Sequence, residues 1–397
     1  MGELADEAKR GSGLALAGVQ FFFTLGWTVY VLYLPGLLSA AGIAASWLPL
    51  LLMLDQLIFA VMDIAFGVIA DRLSEGYRRL ARLLLVLTTL SAVAFLLLPM
   101  AAGLSSAALL ALLLLWVVTA SVVRAPTLVL LAKAARREQQ AGLVLWYAGG
   151  MALAAALSPF LGLWLKGVDV RLPFALSALT LLVAVLVLLR VSDLRGVPVE
   201  EPAQRPISFV AYLPLLLVLT LAVLGFQIHA SVNASSLYLA HATREMLPWL
   251  MPLLWLGFFA VLPVAGKFFE RVGTLPGATA GILLTAIASY ATTAVDSLEM
   301  LILFQVLAGA GWALAFAGLM ENASAAGSRG AEGVFMGSFF AVTALGTFFR
   351  IGFASQLLPA WQSVQFALPA ALLLAAGLIA AVYALKTPKS PSAPGRE

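Results

Sequence analysis

The chain has 397 residues, of which 62% are hydrophobic and only 11% charged, and its mean hydropathy is +1.03. Soluble proteins are roughly 45–50% apolar and about 25% charged, so a globule of this composition would lack the polar surface to cover itself. That excludes an ordinary cytoplasmic enzyme, a disordered chain and a nucleic-acid-binding protein, and leaves a helical integral membrane protein. Cysteine is absent, which removes disulfides, thiolate metal sites and thiol nucleophiles.

In chain order, residues 1–13 are polar and mixed in charge. They do not form the basic, apolar, small-residue pattern of a cleaved leader, so the first apolar stretch is expected to remain as a membrane helix. A crossing helix needs about 20 mostly apolar residues. Twelve stretches meet that length: 14–38, 46–70, 80–102, 106–132, 140–164, 172–192, 209–238, 247–269, 275–295, 299–320, 333–357 and 363–385. None alternates apolar and polar residues as barrel strands do. The expected fold is therefore all-α, with twelve transmembrane helices in two pseudo-symmetric six-helix bundles.

Charge sets the orientation. If the N-terminus is cytoplasmic, 18 of the 23 Lys and Arg fall on the cytoplasmic side. Lys166, Arg171 and Arg244 fall on the other side, and Arg124 and Arg350 lie inside spans. This satisfies the positive-inside rule and predicts both termini in the cytoplasm, in the inner membrane. Residues 193–208 (DLRGVPVEEPAQRPIS, with the Asp at 193) form the longest polar stretch between spans. They predict a cytoplasmic linker between bundles at 1–192 and 209–397.

The halves share a signature. Gly67, Asp71 and Arg72 close the second span, and Gly266, Glu270 and Arg271 close the eighth, 199 residues later. The match argues for an internal duplication. The glycine admits a close helix contact, and the acid can cap a neighbouring helix N-terminus or pair with a loop arginine such as Arg78, Arg79 or Arg82. The plainer reading is an ordinary charged loop after a membrane helix.

Twelve spans, two halves, a middle linker and the G-V-I-A-D-R loop resemble the major facilitator superfamily. A narrower resemblance is to the glycoside–pentoside–hexuronide cation symporters, the melibiose-permease branch. It rests on Asp63-Ile64-Ala65-Phe66-Gly67 in the second span, Pro126 through Glu138 after the fourth, and Glu321 through Gly333 after the tenth. The resemblance implies symport of a small organic solute such as a sugar or glycoside with H+ or Na+. The chain departs from that branch at Phe59, where the branch has a second carboxylate. Its sugar-binding acid would fall at Arg124, and Thr343 lies near the place of its lysine in the eleventh span.

A charge at mid-bilayer costs on the order of 2.5–3.5 kcal/mol on insertion scales, so charged groups in spans usually meet a partner or a cavity. Asp63 lies eight residues before Asp71, and Arg124 nine before Lys133. Both spans run inward, so the two groups sit at similar depth, roughly 12–14 Å inside the boundary. They are expected to pair, either as part of the transport site or as a static ion pair. Asp55, about 12 Å further along the same helix, has no evident charged partner. It could bind and release a proton, or rest hydrogen-bonded in a helix contact.

Asp63 and Asp55 are thus the candidate cation-coupling residues. Arg124, Gln20, Trp146, Gln227, His229 and Asn233 are the candidate substrate-binding residues. Gly67, Asp71, Arg72, Gly266, Glu270, Arg271 and Glu321 are the candidate gating residues. Arg350 can snorkel outward. Gly149-Gly150, Gly309 and Gly311 should allow close helix packing. No catalytic constellation, Walker loop, metal site or cofactor is expected. The expected partners are the lipid bilayer, a small-molecule substrate and a transported H+ or Na+, with a monomeric chain. The alternative function is a proton-coupled exporter or flippase of an amphipathic compound or lipid, which the missing sugar-binding acids favour.

Overall fold

A computed structural model describes residues 2–72, 77–127, 137–191, 208–327 and 330–386. The expected linker, apart from Ser208, lies outside the described residues. So do the loops at 73–76 and 128–136, residues 328–329 and the tail from 387.

Among the described residues, twelve helices are long and apolar enough to cross a membrane: α1 (Gly11–Ala40), α2 (Ala45–Arg72), α3 (Arg78–Ala102), α4 (Ser106–Thr127), α5 (Gly142–Trp164), α6 (Arg171–Arg190), α7 (Phe209–Leu239), α8 (Arg244–Val272), α9 (Thr274–Ala291), α10 (Leu298–Gly327), α11 (Glu332–Trp361) and α12 (Leu368–Lys386). Each coincides with an expected span. The ends differ where local chemistry intervenes. α9 stops at Ala291, where the hydroxyls of Thr292 and Thr293 bond back to the carbonyls of Ser289 and Tyr290. Gly273, at φ 92°, makes the short turn from α8 to α9, a conformation that costs other residues about 1 kcal/mol or more.

The helices turn large apolar side chains outward as well as inward, and the few buried acids lie on inner faces. α2 turns Leu54, Leu57, Val61 and Ile64 outward, and buries Asp55, Phe59, Asp63 and Phe66 on the opposite face. The three-and-four spacing of both sets is one helical stripe each. The outward stripe suits hydrocarbon, and the inward one carries the costly carboxylates.

α1–α6 pack among themselves, as do α7–α12. The bundles meet mainly where α2 packs on α11 and α5 on α8, with a smaller contact of α5 on α10. The α2–α11 seam is the tighter. Gly67 and Gly333 press backbone to backbone, and Gly337 rests on the carbonyl of Asp63. A Cβ at any of the three would collide with the opposing main chain. The expected glycine contacts also occur within each bundle: Gly150 lies on the backbone of Ala17 in α1, Gly309 on Leu254 in α8, and Gly311 on Gly281 in α9. The two halves of the duplicated signature differ here. A Cβ at Gly266 would meet only Leu145, at 3.6 Å.

Gly67→Ala should therefore part α2 from α11 and lower the melting temperature of the purified protein. Gly266→Ala should leave it unchanged or slightly raised, since replacing a mid-helix glycine gains up to about 1 kcal/mol. Thermal unfolding of the two variants side by side checks this.

Candidate functional site

The site begins with a break in α4. Regular helix runs from Ser106 to Ala120, tightens to a 3₁₀ turn at Ser121–Val123, and departs from helical geometry at Arg124, with ψ −98°. Pro126 accounts for this. It has no N–H to offer the Val122 carbonyl, and its ring crowds that carbonyl. The freed Val123 carbonyl accepts a hydrogen bond from Gln20 Nε2 of α1 at 3.1 Å. Gln20 thus satisfies the break rather than standing open to a solute.

The break directs Arg124 toward the junction of the two bundles. Its Nη2 donates to the Phe340 carbonyl at 3.1 Å and to the Thr343 hydroxyl at 3.0 Å, both on α11. The same nitrogen lies 3.4 Å from Asp63 Oδ2 on α2. The guanidinium carbon sits 5.2 Å from the ring centres of both Phe59 and Phe340, within cation–π range. The expected Asp63–Arg124 pair is thus present, at the common depth their spacing predicted. Asp63 is fully buried, and neither of its carboxylate oxygens has a hydrogen-bond partner. The pair is Coulombic, without the forked hydrogen bonds of a tight arginine–carboxylate contact.

Sequence reasoning did not assign a role to the two rings. Phe59 stands where the resembled branch has a carboxylate, and here it supplies a π face to the same cation. Tyr147, buried in α5, brings its ring to 5.4 Å from Phe340. Thr343, noted only for its position, proves to be a direct Arg124 partner.

Two turns beyond Asp63, Asp71 caps α11. Its carboxylate accepts from the Gly333 N–H at 2.7 Å and the Val334 N–H at 2.9 Å. This is the helix N-terminus partnership that the signature allowed, and the local dipole favours it. Arg72 and the three loop arginines Arg78, Arg79 and Arg82 are exposed. The second copy of the signature is different: Glu270 and Arg271 are exposed, and no side-chain hydrogen bond of theirs occurs among the described residues. Glu321 accepts from the Thr274 hydroxyl at 3.2 Å, tying α10 to the start of α9.

Asp55 finds a partner the sequence did not indicate. The Tyr30 hydroxyl of α1 donates to its Oδ2 at 2.6 Å. Trp27 and Trp116, stacked with centres 5.7 Å apart, wall the pair. A lone tyrosine in an apolar helix carries no signal for this; only the α1–α2 packing does.

The polar residues of α7 do not converge on Arg124. Gln227 Nε2 donates to the Thr347 hydroxyl of α11 at 3.1 Å. His229 Nε2 shares a hydrogen bond with Gln305 Oε1 of α10 at 3.1 Å. Asn233 donates to the Gln365 carbonyl, ahead of α12, at 2.8 Å. His229 to Asn233 form a π-helical turn, an irregularity often found at functional positions. Trp146 is set apart: 40% exposed, with its ring over Gly13. Arg350 does not reach outward to solvent through its whole length. Its Nε is buried and without a hydrogen-bond partner.

Arg124 is therefore one cation held by an acid of its own bundle and by a carbonyl and a hydroxyl of the other. Any motion that parts α2 and α4 from α11 must break its two hydrogen bonds to α11 and leave Asp63 as its chief partner.

Residues 16–242 match the Major Facilitator Superfamily. The chain belongs to this superfamily. Its members are transporters, not enzymes. No curated protein matches the chain. Among solved structures, the chain is similar to the human organic anion transporter MFSD10 (TETRAN), with 17% identity and a TM-score of 0.75, over 94% of this chain and 99% of that one. The likeness establishes the major facilitator fold, with its two six-helix bundles.

Removing one member of a buried ion pair strands the other, typically at about 3–5 kcal/mol, whereas replacing both can be neutral. Asp63→Leu should therefore lower thermal stability more than Asp63→Leu combined with Arg124→Met. Unfolding of the two single variants and the double variant in one detergent checks this.

Proposed function

We propose that the protein is a secondary active transporter working by alternating access, and that H+ or Na+ bound at Asp63 drives symport of a small organic solute between the bundles. The observation that supports this most directly is the state of Asp63. It is a fully buried carboxylate with unused acceptor capacity, and its ionic partner Arg124 is hydrogen-bonded to the opposite bundle. A cation taken up by Asp63 weakens its hold on Arg124. A change of charge on one bundle is thereby felt as a change in attachment to the other, the kind of differential interaction that shifts a two-state equilibrium.

In this reading the α2–α11 seam, with Asp71 on the α11 N-terminus, is the cytoplasmic gate in its closed state. Residues 193–208 are the linker between bundles at 1–192 and 209–397. The Tyr30–Asp55 pair is a second coupling carboxylate. The inner membrane is the site of action, with both termini cytoplasmic. The glycoside reading follows the melibiose-permease resemblance. The organic anion carried by the similar structure also supports an organic solute. Export or flipping of an amphipathic compound is the second reading, supported by Arg124 standing where a sugar-binding acid would be.

The test is reconstitution of the full chain in liposomes under an imposed sodium or proton gradient. Uptake of a labelled sugar that one gradient drives, and that Asp63→Asn reduces by about tenfold or more, an effect of over 1.4 kcal/mol, would support the symporter. Efflux of lipophilic probes without sugar uptake would support the exporter. Failure of both gradients to drive any solute would refute the coupling.

A further inference from the structure

One face of α11 carries Phe340, Thr343, Thr347 and Arg350 at spacings of three, four and three, which is a single helical stripe. Its contacts show where it looks. Phe340 meets Arg124 of α4 and Tyr147 of α5. Thr343 meets Arg124, and Thr347 meets Gln227 of α7. The stripe therefore faces the other bundle at Phe340 and Thr343 and its own bundle's α7 at Thr347, and Arg350 continues it roughly 10 Å beyond Thr343.

Arg124 at one end of the stripe has an acid and two neutral acceptors around its Nη2. Arg350 lies at the other end. Its Nε is buried with no hydrogen-bond partner, and among the described residues no carboxylate lies within ion-pair distance of it. On the stretch of α2 facing the end of α11, where Met53 meets Gly352, the nearest acid is Asp55, and it is engaged by Tyr30. The groups flanking the stripe at that level, Thr347 and Gln227, are neutral. An unpaired guanidinium inside a membrane protein is costly, and such a group usually has a partner. The planar fork of arginine matches a carboxylate with two parallel hydrogen bonds.

We infer that Arg350 is the receptor for a carboxylate on the transported solute, which is thus an organic anion, bound between the bundles along the α11 stripe. Thr347 and Gln227 are the neutral hydrogen-bonding groups beside it, and Phe340 and Tyr147 the aromatic surface further in. The inference rests on the transporter reading and names the class of its solute.

The full chain in lipid nanodiscs tests it by thermal unfolding with benzoate, 1-naphthoate and fluorescein, each beside its methyl ester. The wild type should be stabilised by carboxylates and not by esters. Arg350→Gln should weaken carboxylate binding by about 30-fold or more, while its ligand-free melting temperature stays level or rises because an unpaired charge has been removed. Arg350→Lys should keep part of the binding. The inference is overturned if no carboxylate stabilises the wild type, if Arg350→Gln keeps the full carboxylate shift, or if Arg350→Gln lowers the ligand-free melting temperature. Liposome transport separates the two readings. Binding of carboxylates with no gradient-driven movement of any solute sinks the transporter reading alone. Driven uptake of a neutral glycoside that Arg350→Gln leaves intact sinks the anion alone.

Discussion

A guanidinium shared between two helix bundles is the contact on which the centre of this molecule is organised. Arg124 has an ionic partner on one side and two neutral acceptors on the other. In a medium that offers no water, a cation must keep its partners or exchange them for others. Three features exist to place it there. Pro126 breaks α4, Gln20 closes the break, and Phe59 and Phe340 hold the guanidinium between two rings, one from each bundle.

The seam between α2 and α11 sets the geometry in which that sharing is possible. Glycines at 67, 333 and 337 let two backbones touch, which brings the Phe340 carbonyl within reach of a side chain from α4. Asp71 adds a charge-assisted clasp at one end of the seam. These close main-chain contacts sit within hydrophobic clusters that cross the seam, where Phe66 of α2 shares a cluster with Phe335 and Phe339 of α11. The second seam, α5 with α8, meets through side chains: Gly149 faces Leu262 and Phe259. The two copies of the signature are therefore alike in sequence and unlike in contact.

Much of this was legible beforehand. Twelve spans follow from length and hydropathy alone, because hydrocarbon imposes a thickness and forbids unpaired backbone groups. The Asp63–Arg124 pair followed from counting residues inward from the membrane boundary, because the helical rise converts sequence distance into depth. Asp71 as a cap is one of the two roles its place at a helix end allows, and its carboxylate accepts from the Gly333 and Val334 N–H groups. Depth, however, is only one coordinate. Polarity in an apolar span makes His229 and Asn233 candidate solute contacts beside Arg124, yet the structure turns them to Gln305 and Gln365. Trp146 and Tyr147 are neighbours in the chain, and one residue of rotation puts the first at the periphery and the second near the junction.

The sequence by itself determined that this is a twelve-helix membrane protein, which residues are too costly to be idle, and how deep each one lies, since these depend on composition and on the fixed rise of a helix. Only the tertiary structure decided the azimuth of each helix: that Tyr30 meets Asp55, that Thr343 and Phe340 meet Arg124, and that Arg350 has no acid beside it among the described residues. Azimuth is set by which glycines and aromatic rings fit against one another across helices far apart in the chain, and no local pattern encodes that fit.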